Sequence, residues 1–165
     1  MKALKVILPT IGSAGDVHPV IALGLALQGR GHRATVLTNP LFQDLIEQQG
    51  LGFSPLGTLD DARATIADPD LWHPRKGFEV VARRAILPSL PAAYRYIERH
   101  ADSSTIVVAS GIAFGARIAQ ERLGVAMATV HLQPGIIRSL VDQGMAGNIR
   151  ISAAQPMWFK RAFFR

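Results

Sequence analysis

Apolar positions along this chain switch repeatedly between an unbroken run and a helical face. Ala3-Leu4-Lys5-Val6-Ile7-Leu8-Pro9 is a mostly apolar run closed by proline, which predicts a buried strand. Residues 17–28 then carry Val17, Val20, Ile21, Leu23, Leu25 and Leu27 around most of a helical circumference, closed by Gly29-Arg30-Gly31. A helix that apolar packs on a sheet. Residues 33–38 predict a second strand. Asn39 and Pro40 then supply the cap and first position of a helix with Leu41, Phe42, Leu45 and Ile46 as its buried stripe, ended by Gly50 and Gly52. Residues 53–56 predict a short third strand. Residues 58–76 follow no period, and Asp60, Asp61, Asp68, Pro69, Asp70 and Pro74 read there as turn and cap residues. A long helical region over 77–100 is expected to kink or break at Pro88 and Pro91. Residues 105–109 predict a fourth strand. A helix over 112–123 follows, in which Gly115, Ala116 and Ala119 allow close approach to the sheet, and residues 125–132 predict a fifth strand.

Strand and helix thus alternate, with no internal repeat. The pattern predicts an α/β fold: a Rossmann-like parallel sheet of at least five strands in the order 3-2-1-4-5, helices on both faces, right-handed crossovers between strands. A chain of 165 residues is long enough for one real core. Composition narrows the function classes. No apolar run is long enough to cross a bilayer and no secretory apolar region precedes the first strand, so a cytoplasmic protein is expected. The absence of cysteine excludes disulfides and thiolate metal sites. Five scattered histidines form no close H-x-x-x-H pair, so no metal is expected.

The net charge of +6 gathers partly in Lys76, Arg83, Arg84, Arg95 and Arg99, and again in Lys160, Arg161 and Arg165. Such clusters are either solvated faces or attractors for anions, including anionic lipid at the inner membrane. No DNA- or RNA-binding motif accompanies them, and nucleic acid is not expected as a partner.

Candidate chemistry concentrates where the first strand hands over to the first helix, because ligands of open parallel sheets collect at the carboxyl ends of the strands. The segment reads Thr10-Ile11-Gly12-Ser13-Ala14-Gly15-Asp16-Val17-His18-Pro19. It is not a dinucleotide fingerprint: the glycines are spaced Gly12-x-x-Gly15, and the second strand ends in Thr38-Asn39-Pro40 without an acid. No G-K-[ST] follows, which excludes a Walker-type loop. Taken by itself, Asp16 reads as the N-cap of a helix starting at Val17, and Gly12, Ser13 and Gly15 as a tight turn. Trp72 and His73 either wall a pocket or pack. His131, Gln133 and Pro134 follow the fifth strand on the functional edge. His32 sits at the opposite end and reads as structural.

The first loop, Gly12-Ser13-Ala14-Gly15-Asp16-Val17-His18-Pro19, resembles without a gap the G-[ST]-x-G-D-x-x-P loop of one branch of GT-B fold glycosyltransferases, family 28 and family 1-like. Gly29-Arg30-Gly31-His32-Arg33-Ala34-Thr35-Val36 is similar to that family's approach to the second strand, with Ala34 in place of the usual valine. Asp68-Pro69-Asp70-Leu71-Trp72-x-Pro74 and Gly115-Ala116-Arg117-Ile118-Ala119 resemble the rhamnosyltransferase B chain. The resemblance implies the N-terminal, acceptor-binding half of an inverting transferase. A sugar would pass from a nucleotide-diphosphate donor to a hydroxyl of a lipid or small hydrophobic acceptor, without a metal.

It implies Asp16 as catalytic base, Gly12, Ser13 and Gly15 near the donor diphosphate, and His18, Trp72, His131 and Gln133 at the acceptor. His18 stands two residues after the base position, and Ala109-Ser110-Gly111 carries no acid to form a His–Asp pair. Residues 1–150 are then expected to form the acceptor domain and 151–165 to begin an interdomain segment, the donor-binding domain being absent. Trp158, Phe159, Phe163 and Phe164 would promote self-association. A non-catalytic Rossmann-like binding module working with a partner subunit is the alternative.

Overall fold

The computed structural model describes residues 2–133, Pro156 and Trp158. The chain divides into two compact units, residues 1–130 and 131–165. The expected boundary at 150/151, the basic residues Lys160, Arg161 and Arg165, and the aromatic residues Phe159, Phe163 and Phe164 lie outside the described residues, as does Pro134.

The sheet lies in the first unit and has five strands in the order β3-β2-β1-β4-β5. These are β1 (Lys5–Pro9), β2 (Arg33–Thr38), β3 (Gly52–Pro55), β4 (Thr105–Ser110) and β5 (Ala126–Val130). Every pairing is parallel, with Lys5 opposite Arg33 and Thr105, Thr35 opposite Gly52, and Ile106 opposite Ala126. Strand alternation divides the core. Val6, Leu8, Ala34 and Val36 pack on one face against Val17, Val20 and Ile21 of α1 (Ala14–Gln28) and Ile46 of α2 (Gln43–Gln48). Ile7, Leu37, Val107 and Ala109 face the other way, against Ala93 and Ile97 of α5 (Leu87–His100) and Ala116 and Ala119 of α6 (Phe114–Leu123). This is a doubly wound α/β sheet, as the alternation of patterns predicted.

Four local expectations are corrected. The first helix starts at Ala14, not Val17, so Asp16 lies inside its first turn and Ser13 takes the N-cap position. Residues 59–66, expected to be irregular, form α3 (Leu59–Ile66), which buries no residue but is closed by Thr58 and Asp61. Asp61 N–H donates to Thr58 Oγ1 at 3.1 Å, and Thr58 Oγ1 donates to Asp61 Oδ2 at 2.6 Å; a cap replaces the missing apolar stripe. The long helical region breaks before its prolines: α4 (Gly77–Val81) runs through a π-helical turn, Ala82–Ile86, into α5. Pro88 has no N–H to offer the carbonyl of Arg84, and widening the turn ahead of it relieves the mismatch. Finally, Gly115 serves contact with α5 rather than with the sheet, since a Cβ there would lie 2.5 Å from Leu90 O and 2.9 Å from Ala93 Cβ.

His32 is structural, as expected. It is buried, and its Nδ1 accepts the Leu4 N–H at 3.2 Å beside the amino end of β1.

Candidate functional site

The carboxyl edge of the sheet is built on β1. Its pairing continues one residue beyond the strand, where Thr10 N–H donates to Leu37 O at 2.9 Å. Thr10 is fully buried, and its hydroxyl donates to Asp16 O at 3.3 Å, tying the end of the strand to the first turn of α1. Between them the chain reverses at Gly12, whose φ is +139°. Side chains disfavour that region, and here they have no room either: a Cβ on Gly12 would stand 2.1 Å from Asp16 Oδ2. The loop closes over the space that the missing side chain leaves.

Asp16 occupies this space, half-buried, as the third residue of the helix. Its Oδ2 accepts the Ser13 N–H at 2.9 Å and lies 3.4 Å from Ser13 Oγ. That is the carboxylate half of a capping box, which satisfies one of the donors a helix start leaves open. Asp16 is therefore not the N-cap itself. Among the described residues its second oxygen, Oδ1, has no hydrogen-bond partner. The carboxylate is anchored by one oxygen and free at the other. One turn on, Pro19 has no N–H to return to the carbonyl of Gly15. Gly15 is exposed, and a Cβ there would meet only Ser13 Oγ, at 3.8 Å.

The other expected residues divide by position. His18 follows Asp16 by two residues on the same helix, which turns it about 200° away. Its exposed ring meets Phe42 edge to face, with centroids 6.3 Å apart. Among the described residues His18 forms no pair with a carboxylate. Ser110 closes β4, and its buried hydroxyl has no partner among the described residues. Thr38 Oγ1, at the end of β2, is likewise buried and unpaired. Trp72 is 84% exposed. His73 is used locally, its Nδ1 accepting from the N–H groups of Arg75 at 3.1 Å and Lys76 at 3.3 Å. His131 and Gln133 are exposed and belong to the second unit, directly after β5 in the chain.

The structure thus joins Gly12, Ser13, Gly15 and Asp16 at one loop and helix start, and turns His18 to another side of that helix. It also adds Asn39, which pattern reasoning had read only as a cap. The Asn39 Oδ1 accepts the Leu41 N–H at 3.1 Å, while its Nδ2 donates to Gly12 O at 3.3 Å.

The basic cluster is largely neutralised. Lys76 pairs with Asp70, Arg83 with Glu79 and Arg84 with Asp68, at 3.1, 2.8 and 3.0 Å. Among the described residues no three His, Asp or Glu side chains gather as a metal site, and no helix is long and apolar enough to cross a membrane.

A parallel sheet wound 3-2-1-4-5, with a helix start and a half-free carboxylate at its carboxyl edge, defines a Rossmann-like α/β domain. The glycosyltransferase family 28 N-terminal domain matches residues 6–141, and the chain belongs to that family. UDP-sugar-dependent glycosyltransferase 52 of Dictyostelium discoideum is 47% identical over 58 residues, 34% of this chain and 3% of the relative. A sterol 3-beta-glucosyltransferase of Saccharomyces cerevisiae (strain YJM789) is 44% identical over 55 residues, 33% of this chain and 5% of the relative. The crystal structure of the glycosyltransferase SsfS6 of Streptomyces sp. SF2575, complexed with thymidine diphosphate, superposes with a TM-score of 0.56 at 20% identity. It covers 76% of this chain and 38% of that one, and shows the same fold. The chain therefore matches only a small part of the length of these relatives.

Proposed function

We propose that this chain is the acceptor-binding half of an inverting glycosyltransferase that works with a separate donor-binding domain. The Asp16 carboxylate takes the proton from an acceptor hydroxyl as its oxygen attacks the anomeric carbon of a nucleotide-diphosphate sugar. The new C–O bond forms as the bond from that carbon to the diphosphate breaks, and the nucleoside diphosphate leaves. The observation that carries this reading is the state of Asp16: Oδ2 is fixed by Ser13 and Oδ1 is free at the carboxyl edge of the sheet. A general base needs that combination of a held position and an available lone pair.

Gly12, Ser13 and Gly15 keep the backbone low beside the donor diphosphate, where N–H groups of a helix start favour an anion. His18 and Trp72 are the acceptor-side residues of the first unit in this reading, and no metal is required. The names of the relatives support a UDP-sugar donor and a hydrophobic, sterol-like acceptor alcohol. Rhamnose is the sugar suggested by two further motifs, yet their residues have other uses in the fold. Asp68 pairs with Arg84, and Gly115, Ala116 and Ala119 pack against α5 and the core. The donor is therefore best identified directly. Arg95 and Arg99, exposed and unpaired among the described residues, remain for contact with anionic lipid at the inner membrane.

The test is made in the full-length protein. A panel of UDP- and dTDP-sugars is offered with sterols and other hydrophobic alcohols, with and without chelator, and release of nucleoside diphosphate is followed. Asp16→Asn should lower kcat by about 10²–10⁴-fold, the usual worth of a general base, while the thermal midpoint stays nearly unchanged. His18→Gln should raise the acceptor KM with kcat largely kept. Full activity of Asp16→Asn, or loss of kcat in His18→Gln alone, would overturn the assignment of the base.

A further inference from the structure

The Asp16 carboxylate is anchored by the Ser13 N–H, and Gly12 lies directly against it. Asp16 Oδ2 packs over the α-carbon of Gly12 so closely that a Cβ there would be 2.1 Å away, so the position of Gly12 bounds the space open to the carboxylate. Gly12 in turn is not held by a regular ladder. It lies beyond the end of β1, in a backbone conformation that glycine alone adopts readily. Among the described residues one side-chain hydrogen bond ties its carbonyl to the fold, the Asn39 Nδ2 donation at 3.3 Å.

Asn39 can act as this tie because both ends of its amide are engaged. The Oδ1 is fixed by the Leu41 N–H at 3.1 Å, which sets the orientation of the amide and aims the NH₂ across to the neighbouring strand's loop. An amide is the side chain that both accepts and donates at such a place. A carboxylate could accept but not donate. The arrangement links the end of β2 to the loop after β1 and, through Gly12, to Asp16.

We propose that Asn39 is a positioning residue for the Asp16 carboxylate, acting through the Gly12 carbonyl. This rests on Asp16 being the base. Misplacing a catalytic group by about 1 Å can cost about 10²-fold in rate, so the tie should be visible in turnover rather than in stability.

The experiment uses the full-length protein with the UDP- or dTDP-sugar and alcohol that turn over fastest in the panel above. Asn39→Asp and Asn39→Ser both keep an oxygen able to accept the Leu41 N–H, so the cap survives, and neither retains an amide to donate to Gly12. Each should lower kcat by about 10- to 100-fold, with both KM values within about threefold and the thermal midpoint nearly unchanged. In an Asp16→Asn background the same replacements should change kcat by less than about twofold, because the group they position is gone. The amide proton of Ser13, which donates to Asp16 Oδ2, should shift in the NMR spectrum of both Asn39 variants. Unchanged kcat in both variants, an unshifted Ser13 amide, or an equal loss in the Asp16→Asn background overturns the proposal. If Asp16→Asn is itself fully active, the base and its positioning residue fall together. If Asp16→Asn is inactive while the Asn39 variants are not, only the positioning role falls.

Discussion

Gly12 and Gly15 look alike in the sequence and have opposite structural roles, which makes their alanine variants a direct test of the site. At Gly12 the φ of +139° places the residue where a side chain is strained, typically by about 1–3 kcal/mol. The added methyl would also stand 2.1 Å from Asp16 Oδ2, so the carboxylate must move or the loop must open. For a domain of this size each kcal/mol moves the midpoint by about 2–4 °C, so Gly12→Ala should melt roughly 2–12 °C lower. Gly15 is a helical residue with open space around it; its nearest neighbour is Ser13 Oγ at 3.8 Å. Alanine there restricts the unfolded chain and should be neutral or stabilise by about 0.4–1 kcal/mol.

The functional readout separates them further. If the donor diphosphate approaches the backbone at Gly15, the methyl of Gly15→Ala meets the ligand and not the protein. Calorimetric titration of the full-length protein with UDP should then show binding weakened about tenfold, equivalent to about 1.4 kcal/mol, in a variant at least as stable as wild type. Gly12→Ala should lose both stability and turnover. A Gly12→Ala variant that melts with wild type would refute the steric reading of the loop. A Gly15→Ala variant that melts several degrees lower would show that this glycine, too, is needed by the fold.

Three further outcomes are expected. Hydrogen bonds from the Lys5 ammonium first, then from the Ser104 hydroxyl and N–H, hold the Asp102 carboxyl well below the usual carboxylate range. A depressed folded-state value means that this contribution is complete above the ordinary carboxylate pKa and fades as pH falls below it. The gap in urea midpoint between wild type and Asp102→Asn should therefore narrow from pH 7 to pH 3, and also with added salt because the pair is exposed; a constant gap would refute it. Gly115→Ala should cost about 1–3 kcal/mol in urea unfolding by pressing α6 against Leu90 O and Ala93, without affecting UDP binding. Trp72→Ala should change stability by no more than about 0.5 kcal/mol, since the ring is 84% exposed. An unchanged acceptor KM in that variant would remove Trp72 from the acceptor site.

The central strands were legible because buried parallel strands are continuous apolar runs, and Val6 to Leu8, Val36 to Leu37 and Val107 to Ala109 stand out against the helices between them. The start of α1 was misplaced because its first turn, Ala14-Gly15-Asp16, has no apolar face, and the periodicity begins only at Val17. The helix α3 was missed for the same reason, since none of its residues is buried. Both starts carry one signal that hydrophobic periodicity ignores: Ser13-x-x-Asp16 and Thr58-x-x-Asp61 are the same capping pattern. The π turn was legible in part, because the sequence shows the prolines but not which earlier carbonyl will give way. The donation from Asn39 to Gly12 could not be read at all. It joins residues 27 apart, and only the pairing of β2 with β1 brings them within reach.

The two ends of the sheet differ in how completely their polar groups are paired, and that difference is independent of any motif. At the amino end Lys5 pairs with Asp102, Asp102 also takes the Ser104 N–H, and the Leu4 N–H is met by His32 Nδ1. At the carboxyl end Thr38 Oγ1 and Ser110 Oγ are buried without a partner among the described residues, and Asp16 Oδ1 is open. The Gly15 carbonyl also faces a proline that cannot donate to it. An unmet buried hydroxyl costs about 1–3 kcal/mol, which a fold selected for stability alone would remove by substitution to an apolar residue of similar shape. Such groups persist where binding or chemistry needs them. Here they cluster at the carboxyl ends of β2 and β4, on either side of the strand that leads into Gly12 and Asp16. The unpaired groups and the sheet topology therefore converge on the same edge. Because one comes from hydrogen-bond satisfaction and the other from strand order, each supports the site without depending on the other.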